Sequence, residues 1–97
     1  MTSVDTSLVT VRIPSALLNR TGNRRSVAVE GHTVREIIEA LERDYPGLRF
    51  NICHETGELR PFVNIFVGTE EVRFLQGLNT PVDPTQTVHI IHSVAGG

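Results

Sequence analysis

The residues best placed to do chemistry in this chain are Gly96 and Gly97, which follow the run Val88-His89-Ile90-Ile91-His92-Ser93-Val94-Ala95. Such an ending places a free α-carboxylate beyond a strand that frays into a tail. With glycine at about 7% of average composition, two at a chosen terminus arise by chance in about one chain in two hundred. A frayed end or a cloning scar explains the pair equally well on the tail alone, so the rest of the sequence must decide.

The other chemically capable residues read more plainly. His89 and His92 invite a metal, but three residues apart on a strand they point to opposite faces, which disfavours a shared zinc. Cys53 is the sole cysteine. It could carry a persulfide or act as a catalytic thiol, yet only His54 accompanies it, and it reads as a small, partly buried core residue. Asp44, the pair Glu55 and Glu58, and Glu70-Glu71 could supply acid-base carboxylates. They fall in turns or on a polar helix face and read as solvated charge. Phe62, Phe66 and Phe74 lack the interleaved basic residues of a platform for single-stranded nucleic acid, so core and docking surface account for them.

Ninety-seven residues form one domain with one modest core. A formal net charge of -2 argues against a duplex nucleic-acid binder, which needs a basic face. Arg20, Arg24 and Arg25 are the only basic cluster and read as a solvated loop. A single cysteine excludes an intramolecular disulfide and fits a reducing cytoplasm. Residues 1–7 are polar, without a signal-peptide core, and no apolar run reaches the ~20 residues of a membrane helix. The expectation is a cytoplasmic protein that contacts neither membrane nor nucleic acid.

These residues need a scaffold, and the hydrophobic pattern outlines one. Leu8 to Ile13 alternates with period two and stops at Pro14, and Ser26 to Glu30 repeats the pattern, so residues 14–25 become a hairpin connection around Thr21-Gly22-Asn23. Thr33-Val34-Arg35-Glu36 is a capping box, in which the threonine hydroxyl accepts from the residue 36 amide and the glutamate returns to the Thr33 amide. Val34, Ile37, Ile38, Leu41 and Tyr45 then form one apolar stripe opposite Arg35, Glu36, Glu39, Glu42 and Arg43, ending at Tyr45-Pro46-Gly47. Residues 48–55 could add a helical turn.

Pro61 to Val67 is a second apolar run, expected as the central late strand. Val72-Arg73-Phe74 reads as a short edge strand, Gln76-Gly77-Leu78 and Asp83-Pro84-Thr85-Gln86 as turns, and Thr87 to His92 as the final strand. The fold class is therefore α+β: a mixed sheet of four to five strands covering one main amphipathic helix, the β-grasp or ubiquitin-like arrangement. Its expected divisions are a disordered N-terminal extension over 1–7, the β-grasp domain over 8–92 and a flexible Gly-Gly tail over 93–97.

In Arg60-Pro61-Phe62-Val63-Asn64-Ile65-Phe66-Val67, Glu71-Val72-Arg73-Phe74 with Gly77-Leu78, Thr87-Val88-His89-Ile90-Ile91 and Val94-Ala95-Gly96-Gly97, the chain resembles the ThiS/MoaD family of ubiquitin-like sulfur carriers, nearest its cysteine-biosynthesis branch. The likeness covers nearly everything after residue 7. Only the terminal Gly-Gly is chemically diagnostic. His92 departs from it, standing where proline is common in the family, and so does His89.

The resemblance implies that Gly97 holds the reacting carbon. A carboxylate is a poor electrophile. An E1-like enzyme would spend ATP to make it an acyl-adenylate, and a sulfur donor would displace AMP to give a thiocarboxylate. That group would deliver sulfur to an acceptor enzyme, such as a sulfhydrylase, a thiazole-synthase-like barrel or a molybdopterin-synthase large subunit. The chain would be a cosubstrate rather than an enzyme, a monomer in transient complexes, with no permanently bound cofactor and no metal. The alternative is a ubiquitin-like modifier joined through Gly97 to target lysines; a plain interaction domain ranks last.

A tail that enters buried sites needs low bulk and backbone freedom, which Gly96, Gly97 and the small Ala95 supply. Residues 93–97 span at most about 17 Å when extended. Val94 is expected to anchor the exit from the last strand. The sheet face left uncovered by the helix is expected to dock partners, with Ile91 outward and Phe66 its neighbour. A one-residue slip in register would reverse that face.

Overall fold

The computed structural model describes residues 8–93; the expected extension, residues 1–7, and residues 94–97 of the expected tail lie outside that range. β1 (Leu8–Arg12) and β2 (Ser26–Glu30) pair antiparallel, with Val9 opposite Val29 and Val11 opposite Val27. All four valines are buried and their strand neighbours exposed, as period-two alternation requires. Their connection is more ordered than a simple hairpin loop. It contains a 3₁₀ turn, Ser15–Arg20, begun where the Pro14 carbonyl accepts from the Leu17 amide at 2.9 Å. Leu17 is buried, and burying this apolar residue of the link requires the link to fold back on the core.

Helix α1 (Val34–Asp44) begins at the Thr33 cap, whose hydroxyl accepts from the Glu36 amide at 3.2 Å. The reciprocal bond differs from the expected box. Glu36 accepts from the His32 amide at 2.7 Å, one residue earlier than Thr33. Residues 32–34 are held extended against 80–82, with the Val34 amide donating to the Thr80 carbonyl and the Val82 amide to the His32 carbonyl. That bridging leaves the His32 amide to the glutamate.

Val34, Ile37, Ile38, Ala40 and Leu41 are buried against the sheet, and each large side chain so removed from water contributes about 1.5–3 kcal/mol. Tyr45 is only partly buried, at the helix end. Glu42, expected on the solvated face, is instead half-buried: its carboxylate accepts from the Gly47 amide at 3.1 Å and the Arg49 amide at 2.9 Å. It thereby caps a second short helix, α2 (Leu48–Ile52), which Gly47 enters with a left-handed φ of 97°.

β3 (Val63–Val67) starts two residues later than the apolar run, because Pro61 and Phe62 form a turn closed by the Val63 amide on the Arg60 carbonyl. The edge strand also falls elsewhere than expected. β4 is Glu70–Glu71, and Val72–Phe74 is a 3₁₀ turn. The tight return at Gly68 sets Glu70 opposite Val67 and Glu71 opposite Phe66, after which Val72 dives into the core and ends the pairing.

β5 (Thr87–His92) matches the expected final strand. The sheet order is β2-β1-β5-β3-β4, with β5 parallel to β1 and antiparallel to β3. The central position thus belongs to β5, and β3 lies beside it rather than at the centre. Five strands, mixed in direction and covered on one face by α1, form the β-grasp arrangement.

Candidate functional site

Strand β5 leads the chain toward residues 94–97, and its alternation decides what surrounds that exit. Val88 and Ile90 are buried beneath α1, while His89 and Ile91 face the uncovered side. Ile91 is 44% exposed, an unusual exposure for isoleucine in the central strand of a sheet. Asn64 stands directly opposite it on β3, and Phe66 stands opposite His89. Phe66 is therefore one diagonal step from Ile91, within reach for an aromatic side chain. The expected register holds, and both residues occupy the same uncovered face.

Two charged groups border this patch. Arg12 on β1 lies opposite His89. On the other side Arg73 reaches back over β3: its guanidinium donates to Asn64 Oδ1 at 2.6 Å, to Glu71 Oε2 at 3.1 Å and to the Arg60 carbonyl at 2.8 Å. Sequence reasoning passed over Arg73 and Asn64. The available signal was an asparagine inside an otherwise apolar run, outward by alternation and unlike the residues around it.

The strand pairing persists to the last described residue. Ser93 donates its amide to the Phe62 carbonyl at 2.8 Å, beyond the pairing of Val63 with His92. His92 turns away from the Ile91 face and packs edge-on against Phe62, with ring centroids 5.0 Å apart. Its Nδ1 is buried without a hydrogen-bond partner among the described residues. Val94, Ala95, Gly96 and Gly97, the expected anchor and reactive tail, lie outside the described residues.

The remaining candidates do not converge. His89 and His92 project to opposite faces of β5, and no group of three or more His, Cys, Asp or Glu among the described residues is placed to hold a metal. Cys53 is 3% exposed at the end of α2, and burial pushes its thiol pKa up against the opposing influence of Arg35, Arg49 and Arg60. It borders a cavity of about 150 Å³ on the helical side, away from the uncovered face. A buried protonated thiol is a poor nucleophile. Glu55, Glu58 and Glu70 are exposed, as is Asp44, which pairs with Arg43 at 3.2 Å. No helix among the described residues is long and apolar enough to cross a membrane.

The model of the ThiS family matches residues 11–97. The chain belongs to that family. Among ThiS-family relatives, the sulfur carrier protein CysO of Mycobacterium tuberculosis is 41% identical over 91 residues, 92% of this chain and 98% of the relative. A crystal structure of the Amycolatopsis orientalis BexX/CysO complex contains a chain 40% identical, with a TM-score of 0.85, covering 92% of this chain and 99% of that one. Small archaeal modifier protein 3 of Haloferax volcanii is 37% identical over 65 residues, 67% of this chain and 70% of the relative. This ThiS-family member is thus a CysO homologue with a ubiquitin-like β-grasp fold.

Proposed function

We propose that the chain is a sulfur carrier whose reactive atom is the carboxyl carbon of Gly97. The observation that carries this is the 41% identity to CysO across 98% of that carrier's length, joined to a family match that runs through Gly97. An E1-like enzyme presents ATP; a carboxylate oxygen of Gly97 attacks the α-phosphorus and pyrophosphate leaves. Hydrosulfide then attacks the acyl carbon, AMP and a proton leave, and the thiocarboxylate is carried to an acceptor enzyme. The chain is consumed and regenerated as a cosubstrate and needs no resident cofactor, since ATP belongs to the activating partner.

Gly96 and Ala95 are small enough for a narrow entrance, and Val94 and Ala95 belong to the stretch that the partner contacts. The uncovered face, with Ile91 44% exposed and Phe66 diagonal to it, supplies the docking contact that holds the body outside the partner's site. Intact-mass measurement of the protein isolated from its own cells tests the reading. A fraction heavier by the exchange of one oxygen for one sulfur, lost when Gly97 is deleted, is expected; a chain that never carries sulfur refutes it.

The likeness to an archaeal modifier protein favours one second reading, conjugation of Gly97 to lysine amines. Lysine-linked Gly-Gly remnants on other proteins, in place of the sulfur-bearing mass, would support it.

A further inference from the structure

Charge in this molecule is segregated along the strands. At one end of the sheet β1 finishes at Arg12, β2 starts at Ser26, β3 starts at Val63 and β5 finishes at His92. The described residues at that end, 12–26, 60–64 and 89–93, include Arg12, Arg20, Arg24, Arg25, Arg60, His89 and His92 but no aspartate or glutamate. Glu30, Glu70 and Asp83 lie toward the opposite end, and Glu71 is neutralised by Arg73 at 3.1 Å. On the helical side, Glu42 is engaged by the Gly47 and Arg49 amides and Asp44 by Arg43. A chain with a net charge of -2 thus brings Arg12, Arg24 and Arg25 to the end at which its last strand finishes, with no carboxylate side chain in the described residues of that end.

Arg12, Arg24 and Arg25 are exposed, and their guanidinium groups make no hydrogen bond or ion pair among the described residues. Nothing in the fold uses them. Arg12 also borders a groove with Ser15, His89, Ile91 and His92, which connects the basic end to the Ile91 face.

We propose that Arg12, Arg24 and Arg25 form a docking collar that seats on an acidic rim, built from aspartate and glutamate side chains, around the entrance of the enzyme that activates Gly97. This deepens the proposed function and rests on it. The solvated-loop reading of Arg24 and Arg25 gives way to a positional one, because they stand at the sheet end from which the reactive segment departs, with Arg12 on β1 next to β5 and Arg24 and Arg25 one strand further out. Residues 93–97 span at most about 17 Å, so the collar meets the mouth of the partner's site while the carboxylate lies deeper. Charges so placed speed encounter and orient the tail without taking part in the chemistry.

The experiment is ATP–pyrophosphate exchange by the E1-like adenylating enzyme of the same cells, with this full-length chain as substrate. Arg12→Glu/Arg24→Glu/Arg25→Glu should raise KM for the chain by about tenfold or more with kcat little changed, and added salt should raise the wild-type KM but not the variant's. The corresponding triple lysine variant should retain the wild-type KM. An unchanged KM in the folded glutamate variant overturns the proposal. So does an unchanged KM accompanied by lost binding to a labelled single-stranded RNA, which would assign the collar to nucleic acid. Absence of exchange with the wild-type chain would instead overturn activation of Gly97 itself, and the collar with it. A neutral Arg12→Gln/Arg24→Gln/Arg25→Gln variant gives the same reading should charge reversal prevent folding.

Discussion

Arg73 donates to Asn64 across 2.6 Å, and Asn64 is the residue that faces Ile91 on the neighbouring strand. One guanidinium thereby ties the segment after β4 to the strand that flanks the exposed isoleucine. It also holds Glu71 and the Arg60 carbonyl, so the approach to β3, its second residue and β4 are fastened through a single side chain.

Replacing Arg73 with alanine should therefore cost about 1–2 kcal/mol, because hydrogen bonds to a carbonyl and an amide are lost along with a partly screened ion pair. Lysine should recover only part of that loss, since one ammonium cannot span three acceptors. Denaturant titration of the two variants measures both effects.

Ile91→Asp should leave the fold standing, with a stability loss of about 1 kcal/mol or less, because the side chain is already 44% exposed on the uncovered face. Docking should suffer far more, with KM in the exchange assay rising about tenfold or more. Normal KM in a folded variant would remove the uncovered face from the docking contact.

Glu42 gives a pH signature. Hydrogen bonds from the Arg49 and Gly47 amides hold its carboxyl below the ordinary glutamate value of 4.5. A depressed folded pKa contributes stability that is complete above the unfolded value and is lost as pH falls through the folded one. Wild type should exceed Glu42→Gln in stability at neutral pH, and the gap should close as pH drops below 4.5. Urea midpoints measured across that range provide the check.

Cys53 should resist alkylation in the native protein, because its thiol is 3% exposed and its pKa is raised by burial. Iodoacetamide followed by intact-mass analysis should show modification only after denaturant is added. Rapid native labelling would reopen a role for this thiol in sulfur chemistry.

The alternation of Val9, Val11, Val27, Val29, Val88 and Ile90 was legible in the sequence because each strand buries one face only, and so was the outward position of Ile91. The Thr33 cap was legible for the same local reason. Less visible were features settled between distant segments. The second half of the capping box sits on the His32 amide, in a stretch whose extended path is fixed by its bridge to residues 80–82. Glu42 left the polar face because two amides of a later helix needed an acceptor. The edge strand shifted from Val72–Phe74 to Glu70–Glu71 because Val72 packs into a core whose shape no local pattern announces. Arg20, Arg24 and Arg25 form a visible cluster in the sequence, but only the sheet order shows which strand end they adjoin.

The central place of β5 bears on how the protein is made. β1–β2 and β3–β4 are neighbours in the chain, yet neither pair borders the other in the sheet; β5 alone joins them. A nascent chain halted before residue 87 holds two hairpins with an open slot between them, and their facing edges stay unpaired until the last strand is synthesised. Completion of the sheet thus waits on residues 87–92, and a product that stops before them lacks the strand that joins its two halves.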